Sequence, residues 1–508
     1  MAHFEDGALV KNSGSSLLKG EAESNDFAGK RIVIIGAARQ GIALARYLIR
    51  HGASVVLNDR LNEEELKESH QALKGLQVEW VHGGHPLELL RGTDMVCVSG
   101  GVPLSLPLVT EARRQGIPVT NDSQIFLERV PCKVIGITGS AGKTTTTTLV
   151  GRVAEISYAA SLKDHRRISA SDLTNPGIVR KGRVWVGGNI GTPLVDRLDE
   201  IQPNDLAVVE FSSFQLEIMD RSPDIAVILN ITPNHLDRHK TMEAYRATKA
   251  RLLLHQSQDG IAILNRDDPG SWSLASSVRG ELISFGLEPS DMVEAGIFLS
   301  EDHQMILYRN LHMGRLSPEA ILPVGAIELR GGHNLANVLA TCAIALAAGF
   351  PASAIAAGIK GFRGVEHRLE FVRRRNGVDW YNDSIATAPE RAMAAIRSFS
   401  EPLILLSGGR DKDLPWEAFA RLVHERVKHI ILFGEAAAKI AQALSVINAP
   451  SSLEVTLCST LAEAVRVANQ VSSPGDVVLL APGGTSFDEF RDFEDRGEAF
   501  KRWVMDLH

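Results

Sequence analysis

The run Thr138-Gly139-Ser140-Ala141-Gly142-Lys143-Thr144-Thr145 follows the apolar stretch Val134-Ile135-Gly136-Ile137 directly and leads into a helical pattern. Its glycines let backbone N–H groups converge on an anion, its lysine can reach β- and γ-phosphates, and the adjacent threonine can hold Mg²⁺ at the helix N-terminus. The spacing departs from G-x-x-x-x-G-K-T, because Ile137 stands where the first glycine would be. Gly139, Ser140, Ala141, Gly142, Lys143, Thr144 and Thr145 are therefore candidate phosphate-binding residues.

Two more candidates end apolar runs. Glu210, in Val208-Val209-Glu210-Phe211-Ser212-Ser213-Phe214-Gln215-Leu216, is placed to be a Mg²⁺ ligand or to cap the next helix. His235, in Asn230-Ile231-Thr232-Pro233-Asn234-His235-Leu236-Asp237-Arg238-His239, is either a ligand facing the same site or a surface histidine. Near the start, Gly36-Ala37-Ala38-Arg39-Gln40-Gly41 sits where a dinucleotide fingerprint would, with Ala38 in place of the middle glycine, and Asp59-Arg60 ends the following apolar run. A turn that only packs helix on strand is the alternative there. Tyr245 to Arg251 reads by itself as a solvated Lys/Arg face that includes Lys249, and Asn334 and Asn337 share one helical face, suited to ligand contacts or to capping. Three later segments hold Arg, Asp and Lys suited to phosphate or carboxylate recognition: Glu366 to Glu370, Tyr381 to Thr387 and Ser407 to Asp413. The glycine turn from Pro482 to Phe493 leads into a helical pattern from Asp488 to Met505, with Ser486 as an anion ligand or an N-cap.

Strands alternating with amphipathic stretches must position these residues, and that alternation predicts an α/β chain of parallel sheets. Strands are expected at Arg31–Ala37, Ala53–Asp59, Met95–Gly101 and Pro118–Asp122, then at Lys133–Gly139, Arg183–Asn189, Leu206–Ser212, Ile225–Ile231 and Gly260–Asn265, and finally at Leu403–Gly409, His429–Gly434, Leu453–Cys458 and Asp476–Pro482. At roughly 150 residues per domain, 508 residues suit about three domains. The expected division is a leader at 1–30, a Rossmann-like domain at 31–121, a central P-loop-type ATPase domain at 122–364 with an exposed insertion near 157–182, and a C-terminal dinucleotide-fold-like domain at 365–508.

Hydrophobic residues at 44%, charged residues at 23%, 44 Gly and 21 Pro exclude disordered, collagenous and coiled-coil classes. A net charge of −7 without an extended basic run argues against a nucleic-acid partner, and Arg373-Arg374-Arg375 reads as a solvated turn. Cys97, Cys132, Cys342 and Cys458 form no C-x-x-C pair and read as reduced thiols of a cytoplasmic protein. The first thirty residues hold Glu5, Asp6, Glu21, Glu23 and Asp26, unlike a signal peptide, and no run reaches the length of a membrane span.

Taken together, TGSAGKTT at Thr138–Thr145, GGNIG at Gly187–Gly191, EFSSFQLE at Glu210–Glu217 and NITPNHLDRH at Asn230–His239 resemble the Mur ligase family over nearly the whole chain. In the last third, EHRLE at Glu366–Glu370, NDSIAT at Asn382–Thr387, GGRDK at Gly408–Lys412 and SFDEFRDFEDRG at Ser486–Gly497 look like the D-glutamate-adding branch. The resemblance implies three Rossmann-type domains that bind a UDP-sugar, ATP and the amino acid, with the third closing over the others. It also implies an ATP-dependent ligase that joins D-glutamate to UDP-N-acetylmuramoyl-L-alanine in peptidoglycan precursor synthesis, in the cytoplasm, as a monomer.

By the same resemblance, Lys143 and Thr144 hold phosphates and Mg²⁺, Glu210 and His235 are metal ligands, and Lys249 is carbamylated to give a further ligand, with two Mg²⁺ ions in all. Arg39, Gln40, Asp59, Arg60, Gly101 and Asn189 would contact the UDP-sugar. Asn334, Asn337, Arg368 and Asp383 would contact ATP, and Thr387, Lys412, Ser486 and Phe493 would hold D-glutamate. The implied reaction is attack of the substrate carboxylate on the γ-phosphorus, followed by amide formation from the acyl phosphate. Alternatives are a sister ligase using another amino acid or a folate, a nicotinamide oxidoreductase built on the first domain, and a nucleotide-gated scaffold. The leader, the insertion and Gln124, where the family often has an acidic residue, depart from the pattern.

Overall fold

A computed structural model of the chain describes residues 26–165, 182–234, 236–288, 295–310, 315–329, 331–411, 414–447 and 453–507. Residues 1–25 of the leader and most of the expected insertion, with His235 and Lys412, lie outside the described residues. The fold is α/β, and the chain divides into two compact units: Met1–Ala141 with Ser157–Ile283, and Gly142–Ile156 with Ser284–His508.

The first unit opens with β1 (Arg31–Ile35), β2 (Ser54–Asn58), β3 (Val78–Val81), β4 (Met95–Val98) and β5 (Val119–Thr120), all parallel in the order β3-β2-β1-β4-β5. This is a Rossmann order. Ile32, Val33, Ile34 and Ile35 of β1 are all fully buried, as a central parallel strand covered on both faces requires. Full burial of such a side chain is worth about 1.5–3 kcal/mol. The same unit holds β6 (Lys133–Thr138), β7 (Val184–Gly188), β8 (Leu206–Glu210), β9 (Ile225–Ile228) and β10 (Ile261–Asn265), parallel in the order β10-β9-β6-β8-β7.

The strand β11 (Glu281–Phe285), whose residues divide between the units at Ile283 and Ser284, pairs in parallel with β12 (Ala295–Leu299) through Ser284 and Phe285. Then β12, β13 (Met305–Asn310) and β14 (Arg315–Pro323) form an antiparallel meander. The last sheet has the order β15-β16-β20-β17-β18-β19, from β15 (Glu370–Arg375), β16 (Val378–Asn382), β17 (Leu403–Gly408), β18 (Val427–Phe433), β19 (Glu454–Leu457) and β20 (Val477–Gly483). Only the β15–β16 pair is antiparallel there.

Strands are expected at most of these places, but not at β3, β11, the meander or the β15–β16 hairpin. Arg373-Arg374-Arg375 lies on β15 rather than on a solvated turn. Arg374 pairs with Asp379 at 2.6 Å, Arg373 donates to the carbonyls of Met505 and Leu507, and Arg375 donates to Asn469 Oδ1 at 2.7 Å, so the hairpin uses all three charges to anchor its edge. The four cysteines are free thiols, three of them buried. Among the described residues no helix is long and apolar enough to cross a membrane.

Candidate active site

The phosphate-binding candidate leaves β6 as a loop and becomes the helix Lys143–His165. Asn230, at the end of β9, fixes its first half. The backbone N–H of Ala141 donates to Asn230 Oδ1 at 2.8 Å, Asn230 Nδ2 donates to the Ala141 carbonyl at 3.1 Å, and Ser140 N–H donates to the Asn230 carbonyl at 2.9 Å. Ser140 Oγ donates to the Thr232 carbonyl at 2.9 Å and lies 3.2 Å from the Tyr245 hydroxyl. The pairing of Asn230 and Tyr245 with the loop has no local sequence signal, because it joins the end of β9 and the helix Met242–Leu254 to the end of β6.

Gly142 has φ +82°, and a Cβ built on it would lie 2.2 Å from Asn337 Oδ1. Only glycine can stand there. Asn337 is 5% exposed and donates to Asn334 Oδ1 at 3.1 Å, one turn back on the helix Gly332–Ala347. That helix begins after Gly331 with no side-chain cap, so the two amides do not cap it. Gly142, Thr145, His333, Asn334, Asn337 and Arg368 line one cleft of the second unit. Its wall continues to Leu369, whose N–H donates to Asp383 Oδ1 at 3.0 Å. Asp383 is buried, and burial pushes its carboxyl up to about 7, opposed by the Leu369 N–H and by Arg368 and Arg391. Burial also lowers the His333 imidazole, which favours its neutral form against the cleft.

In the first unit Glu210 ends β8 with 2% exposure, and its Oε1 accepts from Asn189 Nδ2 at 2.9 Å. It does not cap the next helix: Ser212 does, in a capping box with Gln215. Lys249 is not on a solvated face. It is 1% exposed, its ammonium donates to the Gly139 carbonyl at 2.9 Å and to Thr138 Oγ1 at 3.3 Å, and it stands 4.8 Å over the Tyr245 ring. The helix Met242–Leu254 thus turns this lysine inward while Arg246 stays exposed. The Glu210 carboxylate offers oxygen, the donor that Mg²⁺, a hard cation, takes.

The first glycine loop is already partly satisfied. Asp59 Oδ2 accepts from Ala37 N–H at 2.7 Å, its Oδ1 accepts from Leu61 N–H at 3.0 Å, and Gln40 Oε1 accepts from Gly100 N–H at 3.2 Å. An added Cβ on Gly41 would lie 1.9 Å from the Gly36 carbonyl, so that glycine packs helix on strand. Arg39 donates to the Asn189 carbonyl at 2.8 Å, while Arg60 and Gly101 are exposed. Gln124 bonds Glu128 and Asp220 and also accepts from Asp220 N–H at 3.0 Å, so its amide occupies a carboxylate-rich corner that a further acid would make repulsive.

Among the expected amino-acid contacts, Ser486 is 2% exposed and Thr387 and Phe493 are half-buried. Ser486 is not the cap of the last helix, which runs Phe493–Asp506 with Asp492 as N-cap. The Phe493 ring meets the His367 ring edge-on at 6.2 Å, and its carbonyl accepts from Ser384 Oγ at 2.7 Å. Glu366, His367 and Glu498 cluster closely, with Lys501 Nζ 2.7 Å from Glu498 and 3.1 Å from Glu370.

The glycine loop and buried carboxylate at strand ends of the first unit and, taken by itself, the asparagine-lined cleft of the second are features that suit a nucleotide-using α/β enzyme. Comparison with known proteins gives the class. Residues 30–121 match the model of the Mur ligase MurD-like N-terminal domain, 137–345 the Mur ligase middle domain and 367–484 the Mur ligase glutamate ligase domain. The chain belongs to the Mur ligase family. Within it, the chain is 39% identical over 478 residues to the UDP-N-acetylmuramoylalanine–D-glutamate ligase of Symbiobacterium thermophilum, covering 94% of this chain and 98% of that one. It is 38% identical to the ligases of the same name from Pelotomaculum thermopropionicum and Koribacter versatilis, each over 95% of this chain and 99% and 98% of theirs. The crystal structure of the UDP-N-acetylmuramate–alanine ligase of Thermotoga maritima shares the fold, with a TM-score of 0.51 at 17% identity over 94% of this chain and 98% of that one.

Proposed function

We propose that the chain catalyses ATP-dependent amide formation between UDP-N-acetylmuramoyl-L-alanine and D-glutamate, releasing ADP and phosphate, in peptidoglycan precursor synthesis. The observation that carries this reading is the Thr138–Thr145 loop, with Gly142 set against Asn337 and Ala141 clamped by Asn230. The D-glutamate ligase relatives, similar over nearly the full length of both chains, support the choice of substrates.

In this reading the N–H groups of Gly139 to Thr145 and the Lys143 ammonium hold the triphosphate. Asn334, Asn337, Arg368 and Asp383 hold the rest of ATP. The terminal carboxylate of the UDP-linked substrate displaces ADP from the γ-phosphorus, and the amine of D-glutamate then displaces phosphate from the acyl carbon. Lys143 offsets the negative charge on the transferring phosphoryl group, so the residues act by position and charge without a covalent enzyme intermediate. Mg²⁺, two ions in this proposal, would be held by Thr144, Glu210, His235 and carbamylated Lys249, and would neutralise phosphate charge.

Arg39, Gln40, Asp59, Arg60, Gly101 and Asn189 are assigned to the UDP-sugar, and Thr387, Lys412, Ser486 and Phe493 to D-glutamate. The domain division at 31–121, 122–364 and 365–508, action as a monomer and a cytoplasmic site of action belong to the same proposal.

The test is phosphate release with Mg-ATP and UDP-N-acetylmuramoyl-L-alanine, adding D-glutamate, L-glutamate, L-lysine or diaminopimelate in turn. Release with D-glutamate alone, lost in Lys143→Ala, is expected. Release with another amino acid would move the chain to a sister specificity, and none at all would overturn the enzymatic reading.

A further inference from the structure

Arg496 stands in the first turn of the helix Phe493–Asp506 and is 0% exposed. Both facts are unfavourable. A cation at a helix N-terminus opposes the helix dipole, and a buried guanidinium loses its hydration. Desolvation lowers its pKa to about 10, with Asp488 and Glu489 acting the other way. No carboxylate pairs with it among the described residues.

Its hydrogen bonds show what it connects. Nε donates to Ser384 Oγ at 3.0 Å and Nη2 to the Ser384 carbonyl at 2.9 Å, both on the turn after β16. On the turn after β20, Nη2 also donates to the Gly484 carbonyl at 3.2 Å and Nη1 to the Thr485 carbonyl at 3.0 Å. A third turn, after β17, joins them through the reciprocal pair Arg410 N–H to Thr485 carbonyl at 2.8 Å and Thr485 N–H to Arg410 carbonyl at 2.9 Å. A Cβ on Gly409 would come 2.8 Å from Nη1 and 2.2 Å from the Thr485 carbonyl, so the third turn also leaves room for the guanidinium. Because β16, β20 and β17 are adjacent and parallel, these are the C-terminal ends of three neighbouring strands, where open α/β sheets bind ligands.

We infer that Arg496 is a positioning residue for the amino-acid end of the reaction: one planar five-donor fork sets the Ser384 turn and the Gly484–Thr485 turn in register, and with them Thr387, Ser486 and Phe493. The inference rests on the assignment of those three residues to D-glutamate. Arg496 is too buried to touch a substrate, and it acts through the backbone it holds. Lysine at this place keeps the charge but cannot reach the carbonyls and hydroxyl of both turns at once.

The experiment compares wild type, Arg496→Lys and Ser384→Ala by steady-state kinetics for each substrate, with thermal melting alongside. Arg496→Lys is expected to raise the KM for D-glutamate roughly tenfold or more while the KM for the UDP-linked substrate stays within about twofold. Ser384→Ala, which removes the acceptor of Arg496 Nε and the donor to the Phe493 carbonyl but leaves the other three guanidinium bonds, is expected to move the same constant in the same direction by a smaller factor. An unchanged KM for D-glutamate in a folded Arg496→Lys enzyme overturns the assignment, as does a uniform loss with all substrates that tracks the melting temperature. Should Arg496→Lys not fold, Ser384→Ala decides in the same terms. If wild type releases phosphate only with another amino acid, the D-glutamate reading fails, and the KM ratio for that amino acid then supports or overturns the role of Arg496. A wild type that releases phosphate with no amino acid sinks the functional reading and this assignment with it.

Discussion

Asn189 donates through Nδ2 to Oε1 of Glu210 at 2.9 Å, at the ends of the adjacent strands β7 and β8. A residue expected to touch the UDP-sugar thus steers a residue expected to bind Mg²⁺, and outer partners of this kind tune metal affinity. Asn189→Ala is expected to raise the Mg²⁺ concentration for half-maximal activity by roughly tenfold, with little change in melting temperature. A Mg²⁺ titration of phosphate release measures it, and an unchanged requirement would separate Asn189 from the metal.

Gly142→Ala meets two obstacles at once, a φ of +82° and a Cβ 2.2 Å from Asn337 Oδ1. Strain of this kind costs about 1–3 kcal/mol where the backbone holds and displaces the loop where it yields. We expect ATP binding, followed by calorimetry, to weaken at least about tenfold, because the N–H groups then miss the phosphates. Affinity equal to wild type would refute the role given to the loop.

Asp383 supplies a pH signature. Its folded pKa, pushed up to about 7 by burial, lies above the ordinary carboxylate value of 3.8, so the folded protein binds the proton more tightly than the unfolded chain. The stability this contributes is full below about pH 3.8 and is lost as pH rises through about 7. Asp383→Asn keeps an acceptor for Leu369 N–H and removes the titration. The difference in melting temperature between wild type and Asp383→Asn is therefore expected to shift toward wild type as pH falls from about 8 to about 5. A difference independent of pH would contradict it.

Lys249 is buried, with its Nζ beside the Gly139 carbonyl and over the Tyr245 ring. Reaction of the neutral amine with CO₂ would place a carboxylate-like group there. In ¹³C-bicarbonate, wild type is expected to show a carbamate resonance that is absent from Lys249→Ala, whose phosphate release should fall by about a hundredfold or more. A spectrum without that resonance, in an active enzyme, would rule the modification out.

Sequence legibility followed the physics of each element. Strands buried on both faces, such as Ile32–Ile35 and Leu403–Leu406, announce themselves as continuous apolar runs, and the loop at Thr138–Thr145 does so by its glycines and lysine. β13 and β15 carry partly exposed positions and lack such runs, whereas β12 and β16 are buried throughout and Ala295–Leu299 is an apolar run too short to stand out from a buried helix segment; Arg373 to Arg375 look like a turn until Asp379 and the C-terminal carbonyls are brought beside them. Lys249 shows the same limit. Its helix reads as a basic solvated face, and only packing decides that this one lysine points inward.

The residue order by itself determined the α/β class, the glycine loop between β6 and its helix, and the strand ends that carry Glu210 and Asn230, because these depend on local pattern and on glycine placement. Tertiary structure alone decided that Asn230 clamps Ala141, that Asn337 excludes a side chain at Gly142, and that Arg496 ties Ser384 to Thr485. Those pairs are 89, 195, 112 and 11 residues apart in the case of Asn230–Ala141, Asn337–Gly142, Arg496–Ser384 and Arg496–Thr485. Hydrogen bonds and steric contacts act over a few ångströms, and across such separations only the packed sheets bring the partners within that range.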